Sequence, residues 1–163
     1  MLRTDEARTA DEDFRALLDF LNDTPYKLAH LTDGLSDAEI RLKSSPDEFS
    51  ALENICHLRD LELQGYTERI RRILAEAAPP LADFDGARVA AESSYNSEQP
   101  GVALQAFQTA RSENIKLLRA LTEVELEREG MLAGVGKITL KRLAELMREH
   151  DEGHLEEVRI LLL

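Results

Sequence analysis

Apolar residues recur along this chain at spacings of three and four, the period of helices buried along one face. From Asp11 they fall at Phe14, Leu17, Leu18 and Leu21, and the pattern resumes through Leu28 and Leu31 to Leu35. Thr24-Pro25 interrupts it with a capping residue and a residue suited to a first helical position. The stretch therefore predicts one long helix, kinked or restarted at Pro25. The polar residues 1–10 are expected to be disordered. Ser36-Asp37-Ala38-Glu39 and Ser50-Ala51-Leu52-Glu53 both have the form of a capping box. The first opens a short helical turn. The second opens a long helix from Ala51 to about Ala77, with Leu52, Cys56, Leu63, Tyr66, Ile70, Ile73 and Leu74 as its buried stripe, ended by Pro79-Pro80.

A polar stretch, residues 82–101, is long for a connection inside a compact bundle, so it crosses an end of the bundle or contributes to a site. A third helix is predicted from about Val102 to Val124, on Ala103, Phe107, Ala110, Leu117, Leu118, Leu121 and Val124. Gly130, Gly134 and Gly136 mark a turn-rich connection, and Thr139 caps a fourth helix. No repeat or β-type alternation is apparent. The prediction is an all-α four-helix bundle, one domain over residues 11–163.

The fourth helix carries unusual chemistry. On a wheel of roughly 100° per residue, His150 and His154 fall among Leu143, Leu146, Met147, Val158 and Leu161, in the middle of its apolar stripe rather than on its rim. Their spacing stacks both imidazoles one turn apart, within reach of a single metal ion. The alternative is a pair of core histidines hydrogen-bonded to neighbouring side chains. His57 in the second helix would make a three-point cap, although it lies roughly 140° from the middle of its own stripe, on a flank. Glu53 and Asp60, one turn either side of His57, are candidates to accept its second ring N–H, or are simply acids on a solvated flank. Imidazole ligation suits zinc, nickel, iron or copper better than magnesium or calcium. His30 has no such neighbours. Cys56 adjoins His57 in sequence but falls in the buried stripe, so it is read as core.

Composition narrows the classes. Among 163 residues, 32 acids oppose 20 Lys and Arg for a net charge of −12, which disfavours nucleic acid and anionic membranes as partners. One cysteine excludes an intramolecular disulfide and a multi-cysteine zinc site. With no apolar leader or membrane-length run, the expected location is the cytoplasm.

Phe49-Ser50-Ala51-Leu52-Glu53-Asn54-Ile55-Cys56-His57-Leu58-Arg59-Asp60 resembles the start of the second helix in DinB/YfiT-like proteins, with Phe49 where those sequences usually have Trp. Ile138-Thr139-Leu140 and His150-Asp151-Glu152-Gly153-His154-Leu155 resemble that family's last helix. Thr24-Pro25, Leu35-Ser36 and Arg111 also sit where members have like residues. The resemblance spans Asp13 to Leu163. It implies helices in up-down-down-up order and a divalent metal, zinc or nickel most often, on His57, His150 and His154. It further implies an S-transferase joining a low-molecular-weight thiol, such as bacillithiol or mycothiol, to an electrophile.

No residue is singled out as a catalytic base, although Glu53, Asp60 and Asp151 are at hand. Two other readings stay open: a non-catalytic metal-binding stress or regulatory protein, and a metal-free bundle acting by helix association, for instance as a homodimer.

Overall fold

The computed structural model describes residues 2–163, with side chains from Ala10 onward. The expected disorder of residues 1–10 concerns Met1 and side chains that lie outside the described residues. Four long helical stretches form the body: α1 (Leu2–Thr32); α3 (Ala51–Asp60), continued through a π-helical turn (Leu61–Tyr66) into α4 (Thr67–Ala75); α6 (Pro100–Ala120); and α8 (Leu140–Leu161). Short helices α2 (Asp37–Ile40), α5 (Gly86–Glu92) and α7 (Glu123–Leu126) lie in the connections.

Two apolar clusters fix the direction of each helix. One gathers Phe14–Leu21 of α1, Tyr66–Ile73, Ile115 and Leu118 of α6, and Leu140–Met147 of α8. The other gathers Leu28, Leu52–Leu58, Ala103 and Phe107, and Leu155 and Val158. α1 and α8 therefore run from the first cluster to the second, while α3–α4 and α6 run back. That is the up-down-down-up order. α1 and α3 each pack against α6 and α8 and face each other across the bundle. The first and second long helices are thus diagonal, as are the third and fourth, which the long connections permit.

The caps form where the sequence places them. Ser36 and Ser50 each close a capping box, with Glu39 and Glu53, and the Thr139 hydroxyl accepts from the Arg142 N–H. Four features differ from expectation. First, α1 neither stops nor restarts at Pro25. The Thr24 hydroxyl turns back to the Phe20 carbonyl, 3.3 Å away, instead of capping a new helix. Proline still removes one N–H, so the Leu21 carbonyl loses its partner four residues on. The Arg111 guanidinium of α6 donates to that carbonyl at 2.8 Å.

Second, the π turn adds a residue to the second long helix and rotates everything beyond it by roughly 100°. Leu63, expected in the core, is 48% exposed, and Glu62 is fully buried in its place. Third, α6 ends at Ala120, leaving Leu117 and Val124 exposed while Arg111 and Asn114 turn inward. Fourth, the glycine-rich connection is a hairpin of β2 (Glu129–Leu132) and β3 (Gly136–Thr139), with β1 (Pro80–Leu81) parallel to β2. Strands this short carry too few residues to show alternation. Gly130 lies against Leu81 and Ile73, where an added Cβ would come within 2.7 Å of the Leu81 side chain.

Between the two clusters lies a buried layer of charge. Arg111 pairs with Asp151 of α8 at 2.6 and 3.1 Å and with Glu62 at 2.9 Å. Asn114 donates to Glu62 and to the Thr67 hydroxyl, and that hydroxyl donates to the Glu62 carbonyl, which also accepts the Thr67 N–H at the end of the π turn. One arginine thereby ties α1, the π turn and α8 to α6.

Candidate metal centre

The three predicted histidines meet. His150 and His154 stand one turn apart on α8, and their Nε2 atoms are 3.1 Å apart. His57 reaches across from α3 to place its Nε2 3.4 Å from that of His150. Each offers a ring nitrogen within 4.8 Å of the others. His57 is buried despite its flank position, because the connection after α4 folds over it. Phe84 and Phe49 approach its ring with centroids 6.0 and 5.4 Å away, and Gly86 lies so close that a Cβ there would come within 2.5 Å of His57 Cε1. The stretch 82–101 thus helps to build the site. His30 is exposed and does not join this group.

Neutral imidazoles suit this place. Burial is the main cause lowering all three pKa values, to about 4 for His57 and about 3 for His150, with His154 opposing protonation of both other rings and His57 that of His150. His154 Nδ1 is 2.6 Å from Asn54 Oδ1, and Asn54 Nδ2 donates to the Ser50 carbonyl at 3.0 Å, which orients the amide. Asn54 Oδ1 can only accept, so the His154 proton sits on Nδ1 and its Nε2 presents a lone pair.

Three nitrogens converging on one point cannot satisfy one another pairwise, whichever tautomers are chosen. A shared cation satisfies all three. Ligand bonds of about 2.0–2.1 Å at tetrahedral angles put nitrogens roughly 3.3 Å apart, which matches the observed separations. The donor set therefore fits a divalent metal. Among the described residues no cysteine or carboxylate joins this group, which leaves positions open.

Several outer residues differ from expectation. Glu53 is occupied by the Ser50 N–H and Lys43, and Asp60 by Arg59 and the Tyr95 hydroxyl, so neither reaches His57. Nδ1 of His57 and of His150 is buried without a partner. Asp151, fully buried, and not the histidines, occupies the centre of the α8 stripe; both histidines lie toward its rim. Sequence reasoning missed Asn54, whose signal was an amide inside a helix three residues before His57. Cys56 is fully buried, 4.0 Å from the Tyr95 carbonyl, and burial pushes its thiol up to about 12, so it is no nucleophile.

A cavity of about 370 Å³ opens beside His154, lined by Phe49, Ile160, Asp47, Glu48 and Glu157 among others. Glu157 also lies 3.2 Å from His154 Nδ1, and burial raises its pKa.

The family model of the DinB superfamily matches residues 21–158. The chain belongs to the DinB superfamily. A solved structure similar to it is YfiT from Bacillus subtilis, described as a probable metal-dependent hydrolase with an unusual four-helix bundle topology. The two share 20% identity over 92% of this chain and 86% of that one, with a TM-score of 0.84, which establishes a shared fold. No curated protein matches this DinB-superfamily chain. Among its described residues no helix is long and apolar enough to cross a membrane.

Proposed function

We propose that this DinB-superfamily protein is a metal-dependent enzyme that joins a low-molecular-weight thiol to a small electrophile. The observation that carries this reading is the convergence of three neutral imidazole nitrogens with no fourth protein ligand among the described residues. His57, His150 and His154 would hold the cation. A bound divalent cation supplies Lewis acidity, lowering the pKa of a thiol brought to it.

The chain's own residues do the remainder. Asn54 keeps His154 in the liganding tautomer. Phe49, Phe84 and Gly86 close off the His57 side from water. The cavity beside His154 has the volume of a small-molecule site, with Phe49, Ile160 and Leu161 for an apolar substrate portion. Glu157 lines that cavity and touches His154, so it is placed to take the thiol proton as sulfur bonds to the electrophilic carbon and the leaving group departs.

YfiT's description favours a second reading, hydrolysis, in which water replaces the thiol at the same site. A paired assay separates them. Zinc- or nickel-loaded protein is given cysteine and an activated aryl halide in one arm and an activated ester without thiol in the other. Thiol-dependent product that vanishes in His57→Ala supports transfer, and ester cleavage alone supports hydrolysis. Neither reaction with any thiol or ester, in protein shown to hold metal, would return the account to a non-catalytic metal protein.

A further inference from the structure

Among the described residues, the other well-buried arginines each have a carboxylate. Arg111 has Asp151 and Glu62, and Arg59 has Asp60 and Glu98. Arg69, in the first turn of α4, does not. It is only 8% exposed, yet among the described residues no carboxylate oxygen comes within 4 Å. Its Nη2 donates to the Ala82 carbonyl at 3.1 Å, its guanidinium lies over the Tyr66 ring at 5.6 Å, and its Nε is buried with no partner. A desolvated cation with no counter-charge in contact is costly, and proteins almost always pair it.

The nearby acids are otherwise engaged. Arg69 lines a cavity of about 280 Å³ with Gln64, Glu68, Arg72, Asp83 and Phe84. Glu68 is held by Arg71 at 2.7 and 2.9 Å, and Asp83, which accepts from the Phe84 N–H at 2.9 Å, acts on Arg69 only through its charge and from beyond 4 Å. Arg72 is held by Glu76. The cavity is also close to the histidines. Phe84 lines it and approaches the His57 ring, and the Arg69 charge is one of those opposing protonation of His150.

We propose that Arg69 is an anion-binding residue that receives a small oxyanion, a carboxylate or phosphate group, carried by the substrate or thiol. A guanidinium with a free Nε edge in a small, partly desolvated cavity is suited to a planar or tetrahedral oxyanion. This rests on the reading of the neighbouring histidines as a reaction centre for small molecules, and it narrows that chemistry to anionic compounds. The net charge of −12 does not oppose it, because surface charges more than about 8 Å away are largely screened at physiological salt and the Arg69 charge acts at contact.

The test titrates succinate and inorganic phosphate calorimetrically into metal-free and zinc-loaded protein, beside Arg69→Gln. The expected result is saturable binding to the parent, weakened at least about tenfold in the variant. Arg69→Gln should also be no less heat-stable than the parent in anion-free buffer, since an unpaired buried charge has been removed. Preference between the two probes identifies the oxyanion. Parent-like binding in the variant, no saturable binding to the parent, or a variant that fails to fold would each overturn the proposal. Binding that appears only with zinc and equally in both proteins would place the anion on the metal, overturning Arg69 while sparing the metal reading. Arg69-dependent binding in a protein that takes up no metal would do the reverse.

Discussion

Arg111 and Pro25 offer the sharpest test of how this bundle is held together. Arg111→Met keeps an unbranched side chain of similar reach but removes every donor. Glu62 and Asp151, both fully buried, would be left as facing carboxylates, and the Leu21 carbonyl would lose the donor that replaces Pro25's missing N–H. Breaking a buried ion pair costs about 3–5 kcal/mol, and an orphaned carbonyl adds about 1 kcal/mol. At roughly 2–4 °C per kcal/mol for a chain of this size, Tm should fall by about 10–20 °C. Pro25→Ala restores an N–H four residues after Leu21. In the parent it should change little, because that carbonyl is already satisfied. In Arg111→Met it should recover about 1 kcal/mol. The proline's effect on the unfolded chain is common to both backgrounds and cancels in the cycle. Urea unfolding followed by circular dichroism gives the four stabilities, the absence of Trp ruling out its fluorescence. A cost below about 1 kcal/mol for Arg111→Met, or an identical effect of Pro25→Ala in both backgrounds, would refute this account of the buried layer.

Asn54→Ala should leave the fold intact but weaken metal binding about 10–100-fold, because His154 loses the acceptor that fixes its tautomer; competition with a chromogenic chelator measures it. The metal-free protein should lose stability on acidification. The folded pKa values of about 4 and about 3 for His57 and His150 lie below the ordinary 6.5, so the unfolded chain binds more protons as pH falls beneath 6.5. The slope should approach 1.4 kcal/mol per pH unit for each histidine down to the folded values, and a flat profile from pH about 6.5 to 4 would contradict it. Leu63→Lys should change stability by no more than about 0.5 kcal/mol, since Leu63 faces solvent, whereas Glu62→Leu should cost several times more by leaving Arg111 and Asn114 half-paired. Thermal melts of the two variants would expose an error in the register beyond the π turn.

That register is also where sequence reading met its limit. The capping residues Ser50 and Thr139 and the stripes of α1 and α8 were legible because caps and periodicity are local. The π turn is not local: a helix wheel assumes a constant rotation per residue, and the burial of Glu62 depends on Arg111, distant in sequence. For the same reason Asp151 was overlooked at the centre of its stripe, where an acid is tolerable only beside a buried guanidinium. The three histidines were legible from spacing and resemblance together. The burial of His57 was not, because it comes from Phe84 and Gly86 in a stretch whose polar sequence shows no period.

The central claim is that His57, His150 and His154 form one metal site, and bound metal measured by mass spectrometry tests it most directly. Tag-free protein, with His57→Ala and His150→Ala beside it, should carry about one divalent ion per chain, lost in both variants. Parent protein that stays metal-free after exposure to zinc, nickel and iron, or variants that keep their metal, would contradict the account.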